Sequence, residues 1–288
     1  MGVLIMRINT NINSMRTQEY MRQNQDKMNT SMNRLSSGKS INSAADDAAG
    51  LAIATRMRAK EGGLNVGARN TQDAMSALRT GDAALGSVSN ILLRMRDLAT
   101  QASSGTNNDK DIKSMNKEYQ ALAQEINHIA DKTNFNGNAF LNKGTNPGEG
   151  KDITIQLSDA SSDTMTIAAI ETKKLTTDTL AVGPDPDDAV KNLTATTAAA
   201  EITALDTAIQ NIADARATFG SQLNRLDHNL NNVTSQATNM AASASQIEDA
   251  DMAKEMSNMT KFKILNEAGI SMLSQANQTP QMVSKLLQ

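Results

Sequence analysis

Residues 202–247 read ITALDTAIQNIADARATFGSQLNRLDHNLNNVTSQATNMAASASQI. Their apolar positions are Ile202, Leu205, Ile209, Ile212, Phe219, Leu223, Leu226, Leu230, Val233, Ala237, Met240, Ala244 and Ile247. The steps alternate three and four, with one vacancy at Arg216. That is the stripe of an α-helix, and at 1.5 Å per residue it runs for roughly 75 Å. A helix of that length outgrows any globular core, so its apolar stripe predicts a coiled-coil seam. Arg216 is expected to lay its aliphatic stem on the seam while its head reaches water.

Two further stripes match it. One uses Leu64, Ala68, Thr71, Met75, Leu78, Leu85, Val88, Leu92, Met95 and Ala99, and the other Ile112, Met115, Tyr119, Leu122, Ile126 and Ile129. Residues 103–108 (SSGTNN) separate them as an αα-hairpin turn. Three helices with matched stripes form a bundle. The terminal arms carry thinner stripes in an Asn/Gln-rich background. The first is Ile8, Ile12, Met15, Met28, Met32 and Leu35; the second is Met252, Met256, Met259, Phe262, Leu265, Met272 and Leu273, with Leu286 and Leu287 closing the chain. Arms this sparse are marginal alone and need each other or further copies. Ser36-Ser37-Gly38 and Glu61-Gly62-Gly63 punctuate the path from the first arm into the bundle.

The period changes in residues 144–196. Ile153, Ile155 and Leu157 alternate with polar residues, residues 158–163 read as a turn, and Met165 and Ile167 alternate again. This predicts a β-hairpin lying outside the heptad seams and dispensable to them. Gly183-Pro184-Asp185-Pro186 ends the excursion, and Thr196 or Thr197 caps the returning helix. The fold class is therefore mainly α, a long helical bundle with a small β-hairpin region in the middle. The predicted division is 1–50 with 247–288 as terminal arms, 51–143 with 197–246 as bundle, and 144–196 as a short variable segment.

Composition agrees. Aromatic residues are 2 % of the chain and Trp is absent, while 17 Met, with Leu, Ile and Ala, supply the apolar contacts. The net charge of −3 leaves no footprint for nucleic acid. Without Cys there is neither disulfide nor thiolate metal site. The apolar run Val3-Leu4-Ile5-Met6 is far shorter than a signal-peptide core, and no stretch is long enough to insert in a membrane. His128 and His228 stand apart on helix flanks, and no phosphate loop, nucleophile elbow or His-Glu-x-x-His occurs. Asp46-Asp47 are read as first-turn charges favoured by a helix dipole rather than as an acid pair. No catalytic constellation and no cofactor are expected.

Several motifs resemble bacterial flagellin. They are Arg7-Ile8-Asn9-Thr10-Asn11, Arg34-Leu35-Ser36-Ser37-Gly38, residues 41–50 (INSAADDAAG), Arg94-Met95-Arg96-Asp97-Leu98-Ala99 and Asn134-Phe135-Asn136-Gly137. Ile247-Glu248-Asp249-Ala250-Asp251 and residues 275–281 (QANQTPQ) complete the series. The resemblance implies a self-polymerising subunit, with paired termini as the inner tube of an extracellular filament and the bundle as its outer tube. It also implies export by the flagellar type III apparatus without a cleaved signal, and an export chaperone, a filament cap and hook-associated proteins as partners. A hook–filament junction protein, similar at both ends, is the alternative. In similar flagellins the positions of Arg94, Leu98 and Glu118 carry inter-subunit contacts and binding to a vertebrate innate receptor. Leu98 is expected off the seam, exposed beside Arg94, with Asp97 standing where many relatives have Glu.

Overall fold

The computed structural model describes residues 11–142, 151–170, 172, 193–194 and 197–286, with side chains as far as Gln278. Among these, the order is α1 (Ile12–Ser37), α2 (Ala48–Ala102), α3 (Asp109–Lys132), β1 (Asn134–Phe135), β2 (Asn138–Ala139), β3 (Ile153–Gln156), β4 (Thr164–Ile167), α4 (Ala198–Glu248) and α5 (Met252–Leu286). The mainly α reading is correct. The chain divides into two compact units, residues 1–61 with 238–288, and residues 62–237. Ile8, Leu287, the side chain of Leu286, Thr196 and residues 183–186 lie outside the described residues.

In the first unit, the Asn11 side chain accepts the Ser14 N–H and starts α1. Gly38, at φ 73°, ends it by donating its N–H to the Arg34 carbonyl. The connection to α2 is held by Asp46 and Asp47, in different ways. Asp46 Oδ2 accepts the N–H groups of Asn42 (3.1 Å) and Ser43 (2.9 Å) and the Ser43 hydroxyl (3.1 Å). Asp47 Oδ1 accepts the N–H groups of Ala49 and Gly50 at 3.0 and 2.9 Å. Neither lies inside the first turn, where the sequence reading put both: Asp47 precedes α2 and caps it, and Asp46 closes the turn before that. Asp251 repeats the device for α5, accepting the N–H groups of Ala253 and Lys254. Between α4 and α5, Ser40 donates to the Glu248 carbonyl at 2.7 Å and Ala250 to the Gly38 carbonyl at 2.9 Å.

The second unit buries one apolar cluster drawn from α2, α3, both hairpins and α4. Leu78, Leu85, Val88, Leu92 and Met95 of α2, Tyr119 and Ile126 of α3, and Leu205, Ile212, Phe219 and Leu226 of α4 are buried, as their stripes predict. Phe140 meets Phe219 with ring centroids 6.5 Å apart. Gly81 admits both rings, since a Cβ there would stand 2.5 Å from one and 2.8 Å from the other. The turn at residues 103–108 connects α2 to α3 as expected, with Asn108 and Asp111 forming a capping box.

Three expectations need correction. Gly62 and Gly63 do not interrupt the path into the bundle, because α2 runs unbroken through both. Gly63 and Gly67 serve instead as a flat bed for the β3–β4 hairpin: an added Cβ would come within 2.6 Å of Asp159 Cβ and 2.4 Å of the Leu157 carbonyl oxygen. The hairpin itself pairs in the expected antiparallel sense, with Ile155 opposite Met165. It is not outside the core, however, for Ile155, Leu157, Met165 and Ile167 are all buried in the common cluster. Finally, Thr197 does not cap α4 with its hydroxyl. That group pairs with Thr194, and only the Thr197 carbonyl enters the helix, accepting from Glu201 N–H at 3.0 Å.

Candidate assembly surfaces

Arms α1 and α5 pack along each other in the first unit, but not mainly through the apolar residues that their sequences display. Ser14 and Ser31 are buried in the seam, where small side chains permit close approach. Met21 sits over Gly269, with its Cγ 2.8 Å from where a Cβ would be. Polar contacts fix the register: Asn11 Nδ2 donates to the Ala276 carbonyl (2.8 Å), and Asn266 Nδ2 donates to Gln25 Oε1 (2.6 Å). Lys27 lies 5.8 Å from the Phe262 ring centre. The Asn/Gln-rich background is thus part of the seam.

Of the predicted inner-core residues, Met28, Leu35, Met259, Phe262 and Leu273 are half-buried. Ile12, Met15, Met32, Met252, Met256 and Leu265 are exposed, Met15 to 61 %. The physical reason is geometric. Each arm meets one partner helix, which covers a narrow face, and the face it covers is the Ser/Asn/Gln-containing one. The remaining apolar stripe points outward, joined by Tyr20, Ile264, Ile270 and Met272. Among the described residues, eleven of the thirteen large apolar side chains left exposed are in this unit; Val66 and Leu93 are the other two.

Charged groups pin the junction of the arms. Glu248 is 6 % exposed and takes ion pairs from Lys39 and, at 3.6 Å, from Arg58 Nε. Arg58 also reaches Glu61 at 3.2 Å, which raises its pKa above the ordinary guanidinium value. Arg34 Nη1 meets the buried Glu255 at 3.4 Å, leaving Arg34 Nε and Glu255 Oε2 with no partner. Buried polar atoms of that kind are rare and costly. Sequence reading missed this cluster, since an acid three or four places from an apolar residue looks like a solvated flank.

On the second unit, Arg94 Nε of α2 donates to Glu118 Oε1 of α3 at 2.8 Å, and both side chains are about half exposed. Among the described residues of this unit, two ion pairs link α2 to α4: Arg96 to Asp206 at 2.6 Å, and Arg216 to Asp82 at 2.8 Å. The vacancy at Arg216 is therefore filled by an inter-helix ion pair. Leu98 corrects the expectation for this face. It is 2 % exposed and belongs to the common core. A helix packed against two others needs a stripe wider than one seam, and Ile91, Met95, Leu98 and Ala102 form the second edge of it. Arg94 and Glu118 are brought together at the surface; Leu98 is beneath it. His128 and His228 are exposed on helix flanks, and no group of three or more His, Cys, Asp or Glu among the described residues is placed to hold a metal ion.

Comparison with known proteins places these features in a family. Residues 8–146 match the bacterial flagellin N-terminal helical region, and residues 202–287 match the bacterial flagellin C-terminal helical region. The flagellin of Listeria monocytogenes is 44 % identical over 286 residues, covering 98 % of this chain and 99 % of that relative. The flagellin of Bacillus subtilis is 36 % identical over 307 residues, covering 98 % of this chain and all of the relative. Among solved structures, the crystal structure of Bacillus cereus flagellin is 69 % identical, with a TM-score of 0.51, covering 61 % of this chain and 94 % of that one. A putative flagellar hook-associated protein from Vibrio parahaemolyticus is 17 % identical with a TM-score of 0.57, covering 71 % of this chain and all of that one. That likeness is one of fold alone and gives the junction-protein alternative no better footing. The chain belongs to the bacterial flagellin family and is a structural subunit of the flagellar filament, an extracellular appendage.

Proposed function

We propose that the first unit supplies the inner wall of the filament and the second unit the outer wall, and that neighbouring copies cover the apolar stripe which each chain leaves exposed on its arms. The observation that carries this reading is the concentration of exposed Ile, Leu, Met and Tyr side chains on α1 and α5. A stripe of that kind on a subunit marks a contact surface. At about 25 cal/mol per Å² removed from water, covering it favours association by several kcal/mol before ordering costs. The half-made Arg34–Glu255 pair lies on the same arms and supports the same reading. The 53 residues 144–196 are the variable segment in this reading, too few for a large outer domain, and the β3–β4 hairpin among them packs into the core of the second unit.

The test is growth on filament seeds. Ile264→Asp and Ile270→Asp, placed in side chains that touch little in the free chain, are expected to leave the subunit folded and to slow elongation by tenfold or more, since each buries an unpaired carboxylate. Unchanged elongation by both variants contradicts the reading.

Export through the flagellar type III apparatus, an export chaperone, and contacts with a filament cap and hook-associated proteins complete the proposal. The ion-paired Arg94–Glu118 face also supports recognition by a vertebrate innate receptor, with Leu98 contributing only through packing. Arg94→Ala is expected to weaken receptor activation by the monomer; equal activation by wild type and variant refutes that part alone.

A further inference from the structure

The oxidisable side chains are distributed unevenly. The chain has 17 Met and no Cys. In the second unit Met75, Met95 and Met165 are buried and Met115 is half-buried. Among the described residues, the exposed methionines are Met15, Met32, Met252, Met256 and Met272, all on the arms, with Met272 exposed to 68 %. A thioether is the side chain most readily oxidised once thiols are absent, and its reactivity follows exposure.

We propose that these five methionines make the assembly face oxidation-sensitive: a peroxide-class oxidant converts them to sulfoxides in the free subunit and thereby blocks its addition to a filament. The step is a two-electron transfer. The sulfur lone pair attacks one oxygen of hydrogen peroxide, an S–O bond forms as the O–O bond breaks, and the proton on the transferred oxygen passes to the departing hydroxide, which leaves as water. Methionine is oxidised and the peroxide reduced. The product is a polar, chiral group that strongly accepts hydrogen bonds. On an exposed arm it costs nothing, because water satisfies it. Pressed into an apolar contact it loses that water, and burial of an unsatisfied polar group costs enough for a tenfold loss or more. Leucine or isoleucine would give the same apolar stripe without this liability, as Ile12, Ile264 and Ile270 do beside them.

The inference rests on the reading that neighbouring copies cover the arms, and the experiment separates the two. Subunit and preformed filament are each exposed to limited hydrogen peroxide, and each methionine is scored by peptide mass spectrometry for one added oxygen. The treated subunit is then offered to seeds, with and without reduction by methionine sulfoxide reductases A and B. The expected result is preferential oxidation of the five sites in the free subunit, protection of them in the filament, elongation slower by about tenfold or more, and recovery after reduction. A variant carrying Leu at all five positions is expected to elongate equally well before and after peroxide. Should that variant grow poorly untreated, Met272→Leu alone must retain more of its rate after peroxide than wild type does. Oxidation of the five sites in the filament as fast as in the subunit overturns the covered-arm reading. Protection in the filament together with undiminished elongation of fully oxidised subunits overturns this inference and leaves that reading standing.

Discussion

Tyr119 of α3 donates its phenolic hydrogen to Glu201 Oε2 of α4 at 2.9 Å, with both side chains buried. Burial and the adjacent carboxylate push the phenol's pKa far above its ordinary value. It therefore stays a donor at every pH the protein meets. The aromatic ring fills the seam, and the hydroxyl brings a charged group of α4 into register with α3. Tyr119→Phe keeps the ring and removes this bond to the carboxylate. We expect a loss of about 1.5–3 kcal/mol, measured by urea unfolding followed through helix content. A loss under half of that would mean that other partners carry Glu201.

Arg216 presents the opposite case. Its pairing with Asp82 has side-on geometry, Nε at 2.8 Å and Nη2 at 3.3 Å, but both groups face water. The Asp82 carboxylate raises the pKa of the guanidinium above its usual value. Exposed pairs of this kind contribute about 0–1 kcal/mol. Arg216→Leu is expected to shift stability by less than about 1 kcal/mol in either direction. A double-mutant cycle with Asp82→Asn measures the coupling, and a value above about 2 kcal/mol would refute the exposed-pair account.

Neighbouring glycines on α2 should respond with opposite sign. Nothing lies within 4 Å of a Cβ built at Gly62, so Gly62→Ala gains helix propensity and stabilises by about 0.5–1 kcal/mol. At Gly67 the same Cβ would stand 2.4 Å from the Leu157 carbonyl oxygen. The hairpin must move, and we expect Gly67→Ala to destabilise by about 1–3 kcal/mol. Thermal unfolding of the two variants checks the contrast. By the same logic, excising the hairpin lowers the stability of the second unit instead of leaving it untouched.

The stripes that specified α2, α3 and α4 were legible because each helix satisfies most of its apolar residues within one chain. Where that condition fails, single-chain reading fails too. Met15 and Met32 look like seam residues by spacing, yet the seam runs through Ser14 and Ser31, each one position away, and through Met21. Leu98 looks like a surface residue because a single seam was assumed, and two neighbours require a broader stripe. Asn136-Gly137, with φ of 51° and 80°, forms the tight turn joining β1 to β2. The Asn-Gly pair is the local signal for that turn. Glu248 and Glu255 left no trace in the sequence, because nothing local distinguishes a buried carboxylate from a solvated one.

Asp46 predicts a pH dependence for the first unit. The N–H groups of Ser43 and Asn42, then the Ser43 hydroxyl, hold its carboxyl below the ordinary value of 3.8. A carboxylate lowered in the folded state contributes stability that is fully present above the unfolded pKa and is lost as pH falls through the folded one. The stability of the α1–α2 connection should therefore be flat near neutrality and decline below about pH 4. Asp46→Asn should remove that part of the decline, read from acid unfolding curves of wild type and variant. Identical acid limbs would contradict the role given to Asp46.

Helical reconstruction by electron cryomicroscopy, from filaments grown on seeds with the purified chain, bears most directly on the central claim. The account predicts that Met15, Met32, Ile264, Ile270 and Met272, exposed on the single chain, are each covered by side chains of neighbouring copies, with the α1–α5 pairing retained. A filament in which these residues face open solvent, or a failure of the purified chain to extend seeds, would contradict it.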